Sequence, residues 1–369
     1  MADQKKQGVD ERGVLVGMSG GVDSSVAALI LKERGHRVVG VTLRLWTDPA
    51  SRDERTCCSP EAVHRAKAVA HRLGIPHLIV DAGDSFYGRI VQYFVDEYGE
   101  GRTPNPCVKC NSRVRFGLLL NIAHRLGLVR IATGHYARFT GEPPGLARGA
   151  DRRKDQSYVL AEVNPELLRQ AIFPLGEMTK AEVRTMAADA GLEGHSAPES
   201  QEICFIPDDD HRRFLLERLG ERPGPIVDQE GRQLGRHSGT YNFTIGQRKG
   251  LGIASENPLY VVGLAAERRE VVVGSVADIG AGKITVGDPV YHRPGVLGRP
   301  TVQWRSTGGA VPAHLTDPET IVLEEPATGV SPGQTAVVYD GESVVMAGTI
   351  RSTEGWTAAR QEAREKGEK

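Results

Sequence analysis

The sequence predicts an α/β protein, with a parallel sheet in its N-terminal half and small β domains in its C-terminal half. Three observations carry this. Between residues 13 and 129, short β-branched runs alternate with longer stretches of helical periodicity, the pattern of a parallel sheet with helices on both faces. A glycine pair stands at the first strand-to-helix junction. From Pro223 onward Gly and Pro become frequent, helical periodicity disappears, and short alternating runs recur between turns. A chain of 369 residues sets two or three domains as the prior.

Taken in order, Val14-Leu15-Val16 reads as the first strand and 25–34 as the first helix, closed by Gly35. Residues 37–43 read as a strand. Ser59-Pro60 pairs an N-cap with proline at the first helical position and opens a helix that Gly74 stops. A strand at 77–80, helices at 85–98 and 112–126, and a strand at 129–132 continue the alternation. The stretch between Tyr98 and Asn111 breaks it with Gly-Arg-Thr-Pro-Asn-Pro and reads as a long inserted loop. Residues 142–210 read as irregular with short helices. Among them Thr179-Lys180-Ala181-Glu182 is a capping box whose helix ends at Gly191, and 210–219 is a second amphipathic piece. Val261-Val262, Val271-Val272-Val273, Ile284-Thr285-Val286, Ile321-Val322-Leu323 and 336–339 read as strands of one small β domain and then a barrel. Residues 361–369 are charged and read as frayed, and no repeat recurs at a fixed period.

Lys+Arg and Asp+Glu nearly cancel, giving a net charge of −1, which excludes a charged tail protein. A basic stripe balanced by acidic residues elsewhere stays compatible with a nucleic-acid partner. No run of eighteen apolar residues occurs and no apolar segment follows the first charged residues, so a cytoplasmic protein without membrane spans is expected. The cysteines are Cys57, Cys58, Cys107, Cys110 and Cys204. An odd count in a reducing compartment argues for buried, metal-binding or catalytic thiols over a disulfide framework.

Gly17-Met18-Ser19-Gly20-Gly21-Val22-Asp23-Ser24-Ser25 carries the chemistry of the first junction. Adjacent glycines let successive N–H groups face one concavity, and the helix N-terminus adds positive potential, which suits an anion such as phosphate. No Lys-Ser/Thr pair follows, so this is not a Walker A loop. A mere tight turn is the plain alternative, and the Ser and Asp spacing counts against it. Cys107-Val108-Lys109-Cys110 is open to three readings: half a zinc site, a redox pair, or coincidence. No second CxxC follows, and adjacent Cys57 and Cys58 chelate one tetrahedral ion poorly, so they read as core residues.

Ser-Gly-Gly-Val-Asp-Ser resembles the PP-loop of the ATP pyrophosphatases, which split ATP between the α- and β-phosphates. The resemblance implies that Gly17, Met18, Ser19, Gly20, Gly21, Val22, Asp23 and Ser24 hold ATP, with Asp23 a Mg²⁺ partner and Leu43 and Gly134 at the adenine. Thr-Pro-Asn-Pro before Cys110-Asn111, Ala-Thr-Gly-His-Tyr, Lys154-Asp155-Gln156-Ser157-Tyr158, Ser-Gln-Glu-Ile-Cys-Phe-Ile and Gly246-Gln247-Arg248-Lys249-Gly250-Leu251-Gly252 extend it over nearly the whole chain. Together they resemble the tRNA-specific 2-thiouridylase family. That family's fold implies a parallel-sheet PP-loop (adenine nucleotide alpha-hydrolase-like) domain at 13–210, a small central domain at 211–275 and a C-terminal β-barrel at 276–358. Flexible tails at 1–12 and 359–369 would flank them.

The resemblance also implies the reaction. ATP adenylates O2 of the wobble uridine in tRNAs for Lys, Glu and Gln. Cys204 then delivers sulfur as a persulfide and Cys110 acts as nucleophile, and a thiol pKa lowered near Lys109, Arg113 or a helix N-terminus would help. A cysteine desulfurase or a sulfur-relay protein would supply the sulfur, and a monomer binding one tRNA is expected. Asn105, Pro106, Cys107, His135, Lys154, Asp155 and Gln156, with Arg305, Ser306 and Gln334 on the barrel, would meet the tRNA or its target base. Many relatives carry Asp where this chain has Cys107, which opens an alternative: a [4Fe–4S] cluster on Cys107, Cys110 and Cys204. Two other classes compete, an amide- or amidine-forming ligase of a small metabolite and a non-catalytic tRNA-binding protein. The ligase has no use for Cys110 and Cys204 or for a C-terminal β-barrel, and the intact loop from Ser19 to Ser24 counts against the non-catalytic reading.

Overall fold

A computed structural model describes residues 10–50, 59–192, 203–295 and 298–355. They form two compact units, one within Met1–Ile90 and Cys107–Asp209, the other within Val91–Pro106 and Asp210–Lys369.

The first unit is built on five parallel strands: β1 (Asp10–Gly17), β2 (Arg37–Arg44), β3 (His77–Asp81), β4 (Leu128–Ala132) and, after the hairpin β5 (Ala137–Thr140) and β6 (Gly145–Arg148), β7 (Ala171–Ile172). Their order is β3-β2-β1-β4-β7. The chain moves outward from β1 to β3 and returns on the far side of β1 as β4. The loops after β1 and β4 therefore diverge and open the crevice where α/β sheets bind ligands. Val14, Leu15 and Val16 are fully buried, as parallel strands covered on both faces must be.

The first helix, Val22–Glu33, buries every residue from Ser24 to Leu31, and Ala27 and Ala28 let it lie close to the sheet. It begins three residues earlier than the sequence suggests. Gly21 is its N-cap without a side-chain cap, while the Ser24 and Ser25 hydroxyls both donate back to the Gly21 carbonyl at 3.0 Å. The helix Pro60–Arg72 starts as expected, with Ser59 accepting from the Ala62 N–H. The helix expected at 85–98 runs from Gly83 to Gly99 with a π-turn at Tyr87–Val91.

One expectation needs correcting. The inserted loop ends early, because Pro106–Cys110 is already helical and continues through a π-turn, Asn111–Arg115, into the helix Phe116–Arg125. Proline at a first helical position loses no hydrogen bond, so Asn105-Pro106 is a helix start that the neighbouring turn residues disguised. The CxxC is helical.

In the second unit the helix Gln92–Gly99 packs on the helix His211–Leu219 through Phe94 and Phe214, whose ring centroids lie 6.0 Å apart. A small sheet follows, of β8 (Gly224–Val227), β9 (Gln233–His237), β10 (Tyr260–Ala265) and β11 (Glu270–Gly274) in the order β10-β11-β8-β9, over a core of Ile226, Phe243, Val261 and Val271. The barrel has six strands: β12 (Gly280–Tyr291), β13 (Pro300–Gln303), β14 (Val311–Asp317), β15 (Thr320–Thr328), β16 (Thr335–Asp340) and β17 (Ser343–Gly355). They run β12-β15-β14-β13-β16-β17, and antiparallel pairing of β12 with β17 closes the ring, which removes open sheet edges. Ile284, Val302, Trp304, Ile321, Val338 and Ile350 fill it.

Candidate active site

Two glycines shape the phosphate loop. Gly20 has φ +76°, and a Cβ there would lie 2.2 Å from the Ala62 carbonyl oxygen. Gly134, after β4, crosses the first helix so closely that a Cβ would sit 2.7 Å from the Asp23 carbonyl carbon and Ser24 nitrogen. Gly17, Met18, Ser19, Asp23 and Ser24 line a cleft with Val41, Leu43 and Leu45 on one side and Thr133, Gly134 and His135 on the other. The apolar wall suits a base and the helix N-terminus suits phosphates. Gly20, Gly21 and Val22 form the turn behind the cleft and do not line it. Ser24 Oγ accepts from the Ser19 N–H at 3.2 Å and holds the loop in shape.

Asp23 is engaged by two side chains from distant parts of the chain. Lys180 Nζ donates to both carboxylate oxygens at 2.7 Å, and the Tyr136 hydroxyl donates to Oδ1 at 2.7 Å. Burial, then the Asp23 charge, raises the Tyr136 pKa and keeps it protonated. Lys180 opens the helix Lys180–Asp189, where the Thr179–Glu182 capping box is formed and the Lys180 N–H donates to Asp151 at 3.0 Å. In the sequence Lys180 is visible only as part of that box. Its arrival at the phosphate loop is a tertiary event.

Among the described residues no three His, Cys, Asp or Glu side chains gather to hold a metal ion. A single carboxylate still fits Mg²⁺, which is commonly held by one or two carboxylates together with substrate phosphates and water. The same observation corrects the cluster alternative. Cys107, Cys110 and Cys204 are all described, and they do not form such a group.

His135 lines this cleft. Its Nδ1 meets Thr133 Oγ1 at 2.8 Å, and its ring stacks on Phe116 with centroids 6.2 Å apart. Burial, then the Arg115 charge, pushes its pKa down to about 3, so the imidazole is neutral. Gln156 also lines the cleft, its Oε1 accepting from the Tyr136 N–H at 3.0 Å. Asp155 faces inward: it accepts from Arg148, from the Gly149 and Ser157 N–H groups and from the Ser157 hydroxyl. Those four donors hold it in the loop. Lys154 is half-buried, its N–H donating to the Asp151 carbonyl.

Of the three described thiols, Cys110 is buried and Cys107 and Cys204 are half-buried. Between the first two, Lys109 forms an ion pair with Glu162, both side chains under a tenth exposed. The Lys109 charge is thus compensated, which corrects the expectation that it would favour a thiolate. Next to Cys110, Asn111 donates from Nδ2 to the Val159 carbonyl at 3.0 Å and accepts from Arg115 Nη1 at 3.1 Å. Arg115 and Leu119 line the same cleft as Ser19 and Asp23. The helical run that carries Cys110 therefore continues as a wall of that cleft, a link through Arg115 with no signal in the sequence. Cys204 precedes Phe205, whose carbonyl accepts from the Asp48 N–H at 3.1 Å and whose ring meets Phe86 edge-on. Cys57, Cys58 and 199–202 lie outside the described residues.

The second unit places the remaining expected contacts. Gln334 donates to the Thr103 carbonyl at 3.0 Å, and the Thr103 N–H donates to the Pro332 carbonyl at 2.8 Å, which ties the chain just before Asn105 and Pro106 to the barrel. Arg305 donates to the Gly329 carbonyl at 3.0 Å, and the Ser306 carbonyl accepts from Gln303. In this structure Gln334 and Arg305 act as braces within the unit.

Residues 12–208 match the family described as tRNA methyl transferase HUP domain, 212–275 the PRC-barrel domain and 282–350 the aminomethyltransferase beta-barrel domain. The chain is 45% identical to tRNA-specific 2-thiouridylase MnmA 1 of Caldanaerobacter subterraneus subsp. tengcongensis, over 91% of this chain and 97% of that protein. It is 44% identical to tRNA-specific 2-thiouridylase MnmA of Geobacter metallireducens, over 93% of this chain and 98% of that one. It is 49% identical to the bifunctional protein NifU/MnmA of Rubrobacter xylanophilus, over 92% of this chain and 70% of that protein. No helix among the described residues is long and apolar enough to cross a membrane. With likeness of this extent running through all three matched regions, the chain belongs to the tRNA-specific 2-thiouridylase family.

Proposed function

We propose that the chain is an ATP-dependent tRNA-uridine 2-sulfurtransferase acting on the wobble uridine of tRNAs for Lys, Glu and Gln. The observation that carries this is the continuity from Cys110 through Asn111 and Arg115 into the wall of the nucleotide cleft, which joins thiol and phosphate chemistry in one element. The methyl-transfer wording of the family description finds no counterpart in this pairing, whereas the names of the relatives do.

In the proposed sequence uracil O2 attacks the α-phosphorus of ATP and pyrophosphate leaves from the cleft. Lys180 and the loop N–H groups offset the charge that develops on it. Asp23, together with the ATP phosphates, would hold Mg²⁺, which would supply further positive charge there. The outer sulfur of a Cys204 persulfide then attacks C2, the C2–O2 bond breaks and AMP leaves with the oxygen. Cys110 thiolate attacks Cys204 Sγ, freeing the thiocarbonyl and leaving a Cys110–Cys204 disulfide that a cellular thiol reduces. Release of hydrosulfide by Cys110 before attack on C2 reaches the same products with the same disulfide. The uridine must first leave the anticodon stack, at about a few kcal/mol.

In this reading Asn105, Pro106 and Cys107 lie beside the target base, a desulfurase or relay protein charges Cys204, and the chain works as a monomer. Limits at 13–210, 211–275 and 276–358 describe the functional division, with 91–106 assigned to the second unit. Nucleoside mass spectrometry of tRNA from cells lacking the protein tests the proposal. Loss of 2-thiouridine derivatives with 4-thiouridine unchanged is expected. Unchanged 2-thiouridine would end it.

A further inference from the structure

The motif 246–252 has no part in the reaction above, yet it builds the wall of a second cavity. This hollow lies within the second unit, is broadly open to solvent and has a volume of about 690 Å³, a size usual for small-ligand sites. Gly250, Leu251 and Gly252 form one side. Leu216, Phe243 and Tyr241 add apolar surface, and Leu216 is 42% exposed although it is large and hydrophobic.

The polar lining is lopsided. Three arginines, Arg212, Arg213 and Arg236, face one carboxylate, Asp210, whose Oδ1 is committed to the Arg213 N–H as the cap of the helix His211–Leu219. Arg213 reaches Glu217 at 2.9 Å. Arg212 and Arg236 are exposed and have no carboxylate partner among the described residues. Arg248 and Lys249 directly precede Gly250 in the same motif. His237 stands in the cavity wall with its Nε2 at 3.0 Å from the Arg269 carbonyl, and its Nδ1 has no partner. A buried acceptor without a donor beside a cavity is unusual in a folded protein.

Unpaired guanidinium groups above an apolar floor suit a ligand that is anionic at one end and flat and apolar at the other. Guanidinium matches phosphate oxygens in geometry, and exposed aliphatic or aromatic surface suits a nucleobase or ribose face. We propose that this cavity is a second RNA site, in which Arg212 and Arg236 hold backbone phosphates of the tRNA and the adjoining nucleoside lies over Leu216 and Leu251. The proposal rests on the reading of the chain as a tRNA enzyme and adds a place where the substrate is held away from the chemistry.

The test measures binding of a fluorescent, unmodified tRNA-Lys transcript to the full chain over a range of salt concentrations, for wild type and for Arg212→Ser with Arg236→Ser. About tenfold weaker binding is expected, with the slope of log affinity against log salt reduced by about 1.5, as for two lost phosphate contacts. ATP binding to the double variant should be unchanged, which shows that the chain is folded. Leu216→Gln should weaken binding without altering the slope. An unchanged affinity and slope in the double variant overturns the proposal. So does calorimetric binding of inorganic phosphate or pyrophosphate that the double variant loses while tRNA binding persists, because the site would then take free anions. Normal tRNA binding with loss of 2-thiouridine only in cells would assign the cavity to a protein partner and also overturn it. Failure of the wild type to bind tRNA is a separate result that removes the functional reading itself.

Discussion

Asp23 and Lys180 stand 157 residues apart and meet through two 2.7 Å hydrogen bonds at the mouth of the phosphate loop. A loop without a Walker lysine thus obtains its cation from a distant helix start. Lys180→Met should lower tRNA-dependent AMP release at least about tenfold, in line with the loss of one positioned electrostatic contact, while the protein stays folded. AMP release at the wild-type rate would show that Lys180 only braces Asp23. His135 supplies a pH prediction. Its folded pKa, about 3, lies below the ordinary 6.5, so its contribution to stability is complete above pH 6.5 and is lost as the pH falls towards 3. Urea midpoints of His135→Gln should therefore decline less steeply below pH 6.5 than those of the wild type. His77 and His237, whose pKa values burial also lowers, leave a residual slope in both proteins.

At the scale of the element, the helical run from Pro106 to Arg125 is the part whose integrity the thiol chemistry requires. Lys109 within it is buried against Glu162, and a buried pair is destabilising to break though not always to replace. Lys109→Met alone should cost about 3–5 kcal/mol in chemical unfolding, because it breaks a buried ion pair by removing one partner. Adding Glu162→Leu should restore most of that loss. A single variant as stable as wild type would mean that Glu162 escapes to solvent or to another cation. This run also shows the limit of reading elements from pattern. Ser59-Pro60 and Thr179–Glu182 announced their helices because an N-cap stands directly before an apolar period. Asn105-Pro106 did not, because it stands behind Gly, Thr and Pro, which signal a turn equally well. The long strand β17 went unread because Met346-Ala347-Gly348 interrupts its β-branched alternation, although Ser343 to Gly348 are all buried.

Across the whole molecule, the chain passes between its two units at residues 90–91, 106–107 and 209–210. The segment 91–106 belongs to the second unit and leads directly into the thiol helix of the first. Gly333 holds that segment: its φ is +91°, and a Cβ would lie 3.0 Å from the backbone of Thr103. Gly333→Val should displace Thr103 and the Asn105-Pro106 start of the helix. Thiolation is expected to fall severalfold or more, while ATP binding by the first unit is kept. Equal loss of both functions would indicate global unfolding, and retention of both would show that the segment tolerates the shift.

The sequence by itself determined the local chemistry: the phosphate loop, the CxxC, the caps, and the change from a parallel sheet to β domains. Each depends on neighbouring residues, whose spacing sets backbone conformation and periodicity directly. Only the tertiary structure decided which distant groups meet. Lys180 reaches Asp23, Arg115 lines the nucleotide cleft, Glu162 neutralises Lys109, and Asp155 and Gln334 serve as internal braces. These partnerships depend on the strand order β3-β2-β1-β4-β7 and on the closure of a six-strand barrel. Burial and charge pairing follow from such long-range packing, which no run of adjacent residues encodes.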